Sequence, residues 1–145
     1  MIRRLLLGLV VLVSATRCNR ENALESPIEY HCSELAAELD QMAQDYDARS
    51  KIADETLTPE QLRAADAKYG IVPYDRRHVI GGQLARELGF CKLVRKQDEQ
   101  AKSALEKRIA SANKAYADGI KLADAAKALH ELSALALEVS HLPLK

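Results

Sequence analysis

Aromatic residues are scarce in this chain of 145 residues: there is no tryptophan, one phenylalanine (Phe90) and five tyrosines. None is interleaved with basic side chains as a platform for stacked bases requires. Net charge is absent as well, with 21 basic against 21 acidic residues, while apolar content is ordinary at 48%. That combination excludes an intrinsically disordered chain, which needs low hydrophobicity and high net charge. Long hydrophobic runs are missing except for one near the N-terminus, so a multi-pass membrane protein is excluded. The three cysteines, Cys18, Cys32 and Cys91, form no Cys-x-x-Cys, which removes a thioredoxin-like site and a zinc knuckle. There is no Gly-x-Ser-x-Gly elbow, no P-loop and no Gly-x-Gly-x-x-Gly. The length leaves room for one domain, since a domain takes on the order of 100–200 residues.

What is present begins with an address. Arg3 and Arg4 precede an apolar run from Leu5 to Val13, and Ser14 and Ala15 follow. A basic start, about ten apolar residues and small residues after them form a secretory signal peptide. A bilayer span needs about 20 apolar residues, and this run is over by Arg17. Residues 1–15 are therefore expected to be a signal peptide cut after Ala15. Residues 16–25 are expected to be a flexible N-terminal segment, and residues 26–145 a single helical domain. Cys18 is the candidate for lipidation, because bacterial lipoproteins mature to a lipid-bearing N-terminal cysteine. Their processing site asks for a small residue just before that cysteine, and here Arg17 stands there. The expected location is thus periplasmic or extracellular, with lipid anchoring through Cys18 less favoured and no stable membrane span after processing. Losing Arg3 and Arg4 leaves 19 basic against 21 acidic residues, a net charge of about −2 that suggests neither nucleic acid nor an anionic lipid surface as partner.

Export leads to an oxidising compartment, where cysteines pair. Three thiols allow three single pairings, each leaving one over. Cys18 sits in the polar stretch Asn19-Arg20-Glu21-Asn22, whereas Cys32 and Cys91 each lie near the start of a helical pattern. The expected disulfide is Cys32–Cys91, closing a loop of roughly 60 residues that the chain-entropy model values at about 4 kcal/mol.

The pattern is helical almost everywhere. Ser26-Pro27 reads as cap and first-turn proline, and Ile28, Cys32, Leu35, Leu39, Met42 and Tyr46 form one stripe of a helix reaching about Asp54. Thr58-Pro59-Glu60-Gln61 starts a second, short helix with a capping box, stopped near Tyr69-Gly70. After the connector Ile71-Val72-Pro73, Asp75 is expected to cap a third helix that runs to Leu88 and stops at Gly89. From Phe90 the pattern is helical to about His141. Its first half carries the stripe Val94, Ala101, Leu105, Ile109, Ala112 and Tyr116; its second carries Leu122, Ala126, Leu129, Leu132, Ala136 and Val139. The two stripes are out of phase by one residue, about 100° of rotation, which predicts a break at Asp118-Gly119; the alternative is one long helix whose two halves bury different faces. The expected fold class is all-α: a small helical bundle with two or three long helices (about 27–54, 91–118 and 120–141), a short helical pair between residues 58 and 89, and a core of alanine and leucine.

Charge is distributed unevenly. Residues 21–66 hold twelve acidic and three basic side chains, and residues 67–114 hold eleven basic and five acidic. Either the acidic first helix packs beside the basic third and fourth, or two patches of opposite sign steer a protein partner. Glu138-x-x-His141 and Asp75-x-x-His78 have the spacing of di-iron bundle ligands, but such sites need further carboxylates, and no metal or cofactor is expected. Gly81-Gly82 near Arg76, Arg77 and Arg86 offers an anion nest, with close packing the favoured reading. Tyr69, Ile71, Val72 and Tyr74 make the most apolar loop, flanked by Arg76 and Arg77. It covers one end of the bundle or contacts a partner. No nucleophile–base pair can be assembled, so the expected function is a non-enzymatic exported protein that binds another envelope protein, of inhibitor, immunity or assembly-accessory type. The alternative is a carrier of a small or lipid-like molecule in an apolar cavity lined by the Leu129–Val139 stripe.

Overall fold

We describe a computed structural model of the chain, in which residues 27–93 and 95–145 are described. The expected signal peptide 1–15, the expected flexible segment 16–25, Cys18 and the expected cap at Ser26 lie outside the described residues, as do the side chains of Ile28 and Val94. Among the described residues the chain is all-α, with five α-helices: α1 (Pro27–Ser50), α2 (Pro59–Lys68), α3 (Arg77–Leu93), α4 (Glu99–Asp118) and α5 (Leu122–Ser140). Single 3-10 turns stand at Asp54–Thr56 and Tyr74–Arg76, and one isolated antiparallel bridge joins Arg95 to Leu144. None of the described helices is long and apolar enough to cross a membrane.

Local signals explain most of these boundaries. The Thr58 hydroxyl accepts the Gln61 N–H at 3.2 Å, and the Gln61 side chain accepts the Thr58 N–H at 2.9 Å. This capping box satisfies two N–H groups that the first turn of α2 would otherwise leave orphaned. Gly70, at φ +61°, takes the left-handed conformation that closes the C-terminal turn without a Cβ penalty. The break between α4 and α5 falls where the stripe changes phase. A Cβ on Gly119 would lie 2.9 Å from the Ala115 carbonyl oxygen and 3.2 Å from the Ala125 nitrogen, so only glycine lets the two helix ends approach this closely.

Four expected boundaries are corrected. α1 stops at Ser50, not near Asp54, because Arg49 turns its guanidinium onto Asp54 (2.8 Å) and Asp66 (2.6 Å) and folds the chain back. Asp75 does not cap α3 from outside but lies within the 3-10 turn that leads into it. Gly89 does not stop α3, which continues to Leu93 because Leu88 and Cys91 on its inner face are both fully enclosed; one glycine costs a helix only about 1 kcal/mol. α4 begins at Glu99, not near residue 91, with the Asp98 carboxylate accepting the Ala101 N–H at 2.7 Å. The chain between them turns alongside the C-terminus, where the Lys96 N–H donates to the Pro143 carbonyl at 2.7 Å and Arg95 Nη1 to the Leu142 carbonyl at 2.8 Å.

α5 occupies the middle, packed against α1, α4 and α3. Its Ala125, Ala126, Leu129, Leu132, Leu135, Ala136 and Val139 are all fully enclosed, which accounts for a sequence apolar on more than one face. α1 contributes Cys32, Leu35, Leu39, Ala43 and Tyr46 to the same core, and α4 contributes Leu105, Ile109, Ala112 and Tyr116. The acidic α1 runs along α5 and also packs on α3, and it reaches α4 where Tyr46 and Tyr116 meet, ring centroids 6.1 Å apart. Polar ties fasten the α1–α5 seam: the Ser133 hydroxyl donates to the Ala36 carbonyl at 2.7 Å, and His130 lies between Asp40 (3.4 Å) and Asp47 (3.0 Å). The Cys32–Cys91 disulfide, with its Cα atoms 5.6 Å apart and 59 residues between them in sequence, joins the first turns of α1 to the end of α3.

Candidate partner interface

The apolar loop between α2 and α3 is pinned to the core through Tyr46. The Tyr46 hydroxyl accepts the Val72 N–H at 3.0 Å and lies 3.3 Å from the Tyr116 hydroxyl. Burial pushes the Tyr116 phenol well above the ordinary tyrosine range, and its hydrogen bond with Tyr46 adds to the shift. Arg77 closes the cluster. Its Nε donates to the Val72 carbonyl at 3.4 Å, Nη1 donates to the Gly119 carbonyl, and the guanidinium sits 5.6 Å from the ring centres of both Tyr46 and Tyr74. One side chain therefore ties the loop to the turn between α4 and α5, with hydrogen bonds and cation–π contacts acting together.

The six residues singled out around this loop thus divide. Tyr74 and Arg76 are exposed. Tyr69, Ile71 and Val72 are half-buried, Ile71 packing against the core. Arg77 is corrected from a contact candidate to a buried anchor, only 3% exposed. Gly81 belongs to the close packing of α3 on α4, since a Cβ there would sit 2.7 Å from Asn113 Oδ1. Glu138 accepts two hydrogen bonds from Arg108 at 2.9 and 3.0 Å, and His141 ends α5. Among the described residues no three His, Cys, Asp or Glu side chains are grouped as a metal ion would need.

Exposed apolar side chains also stand on the outer face of α3. Phe90 and Leu93 are each 65% exposed and Val79 51%. At 3.6 residues per turn, Val79, Arg86, Phe90 and Leu93 fall within roughly 60° of one another, opposite the buried Leu84, Leu88 and Cys91. α3 is thus apolar on two faces, one turned inward and one outward. A groove of about 400 Å³ runs beside this outer face between α3 and α4, over Ala85, Gly89, Ala110 and Ala117. The spacing 79, 86, 90, 93 was present in the sequence. It is obscured there because Gly89 reads as a helix stop, which assigns Phe90 and Leu93 to a different element.

Fold and site together define a disulfide-linked all-α protein with an anchored loop at one end and an unpartnered apolar helix face. Comparison with known proteins finds no matching family model, no similar curated protein and no similar solved structure.

Proposed function

We propose that the chain is an exported helical protein, periplasmic or secreted, that binds another protein of the cell envelope and carries no catalysis of its own, in the manner of an inhibitor, an immunity factor or an assembly accessory. In this reading residues 26–145 act as a single small bundle built on alanine and leucine, released by cleavage after Ala15. The observation that supports it most is the placing of apolar side chains. Leu129, Leu132, Leu135, Ala136 and Val139 are consumed by the core, where a carrier would need them to line a cavity, while Phe90, Leu93 and Val79 face outward. Large outward apolar patches on otherwise well-packed proteins mark interaction sites. The Cys32–Cys91 pair is compatible with an oxidising compartment.

The test is a pull-down of the processed protein from envelope extract, with the mass of its N-terminus measured on the same sample. The expected result is Thr16 as first residue, Cys32 joined to Cys91, and an envelope protein retained by the folded form but not by the reduced and alkylated form. Full-length product in the cytosol with reduced thiols would overturn export. Diacylglycerol on Cys18 would overturn the location. Equal retention by the two forms would overturn binding.

A further inference from the structure

The outer face of α3 carries more than exposed apolar groups. Counting Val79 as the first position of a seven-residue repeat, Arg86 and Leu93 fall on the same position, and Gly82 and Gly89 both fall three residues later. That is the a/d geometry of a helix seam. The two glycines have no internal reason to be glycine: a Cβ on either would meet nothing within 4 Å, and neither has a positive φ. They differ in this from Gly81, whose Cβ would press on Asn113. Glycine inside a helix is unfavourable relative to alanine, so two on one exposed seam weaken α3 without helping it pack in this molecule. They do leave the backbone bare, which lets a second helix approach closely.

The charges around the seam say what kind of helix fits. Between residues 76 and 96 there are six basic side chains and one acidic, Glu87. Two of the six, Arg77 and Arg95, are buried, and Lys92 is paired with Glu106 at 3.1 Å. Arg76, Arg86 and Lys96 are exposed. Arg86 stands in the middle of the seam with no ion pair to any described residue. A second copy of this chain is a poor occupant, because a two-fold arrangement of a seam centred on residue 86 sets Arg86 against Arg86. A helix of another protein, apolar on one side with a carboxylate placed opposite Arg86, satisfies both features.

Resting on the reading that the protein binds an envelope partner, we infer that the outer face of α3 from Val79 to Leu93 is the docking seam for an acidic amphipathic helix of a different protein. Phe90, Leu93 and Val79 grip its apolar side, Gly82 and Gly89 admit its backbone, and Arg86 pairs with its carboxylate.

The experiment installs the photo-crosslinker p-benzoylphenylalanine at Phe90 and, separately, at Tyr74 of the full chain in the producing cell, and sequences the crosslinked peptides. The expected product at Phe90 is an amphipathic helical segment with acidic residues from a different protein. Its yield should fall at least tenfold with Arg86→Glu and return when an acidic residue of that segment is changed to lysine. The double variant Gly82→Ala, Gly89→Ala should melt several degrees higher, since each alanine favours the helix, yet crosslink several-fold less. That pairing separates lost docking from lost folding. A protein crosslink at Tyr74 with none at Phe90 would overturn this inference and leave the binding reading standing. No protein crosslink at either position would overturn both. A second copy of this chain, or lipid, as the only product at Phe90 would overturn the choice of partner.

Discussion

Arg76 and Arg77 are chemically identical neighbours with opposite roles. Arg77 lies seven and eleven residues before Leu84 and Leu88, on the inner face of α3, and its guanidinium is spent on the Val72 and Gly119 carbonyls and on two tyrosine rings. Arg76 is exposed. Truncating a buried charged donor leaves its acceptors unpaired, a loss of about 2–4 kcal/mol, while an exposed charge is worth about 0.5 kcal/mol or less. Arg77→Ala should therefore lower the urea-unfolding free energy by that larger amount and speed amide exchange at Val72, whereas Arg76→Ala should do neither. Equal effects of the two would mean that the loop is not held through Arg77. Tyr116 gives a residue-scale prediction in pH. Its hydroxyl holds its proton above the ordinary range when folded, while in the unfolded chain it titrates near ~10. Its contribution to stability is whole below about pH 10 and is lost as pH rises beyond that, because the unfolded chain then releases a proton that the folded chain keeps. The slope approaches about 1.4 kcal/mol per pH unit. Tyr116→Phe should remove that slope, so the stability advantage of the wild type over the variant should shrink between about pH 9 and 11. An advantage constant across that range would show that Tyr116 ionises as readily folded as unfolded.

Among the elements, α1, α4 and α5 were the most legible in sequence. Each has a dense apolar pattern at helical spacing, a single stripe on α1 and α4 and more than one face on α5, and the phase change between Tyr116 and Leu122 marks the break that the structure has at Gly119. The capping box of α2 was legible for a similar reason: the signal is local and complete within four residues. The end of α3 was not, because glycine is a stop signal only when tertiary contacts do not carry the helix past it, and here Leu88 and Cys91 do. Misplacing that end hid the outer face, so the sequence drew attention to the loop as a candidate contact and not to the helix. The same end of α3 is held by the disulfide, which gives the prediction at this scale. Cys32→Ser and Cys91→Ser should each cost up to about 4 kcal/mol for a loop of this length. Because both remove the same bond, the double variant should be no worse than either single one. Additive losses in denaturant titrations would show two independent buried thiols.

The whole molecule is unevenly fastened. α5 meets α1, α3 and α4 and buries most of its length, and the disulfide ties two of those neighbours together. α2 has no buried residue, and it is tied down by the Arg49–Asp66 ion pair and by the half-buried Tyr69 and Ile71 that follow it. Arg49 is itself nearly enclosed. Burial acts to lower its pKa, but the hydrogen bonds it donates to Asp54 and Asp66 outweigh that and raise it, so the guanidinium stays charged. A helix so attached should open without the rest, since the free energy of local opening follows the contacts that must be broken. Native-state amide exchange should then show two levels: α2 amides exchanging through a small local opening nearly insensitive to low denaturant, and the inner amides of α5 exchanging only with global unfolding. Arg49→Met should accelerate α2 while leaving α5 changed no more than the global stability is. Were α2 and α5 to exchange with one common free energy, the charged clasp at Arg49 would have to be coupling α2 to the core as firmly as apolar packing does, and the division of this chain into a rigid α1–α3–α4–α5 body and a loosely held α2 would be wrong.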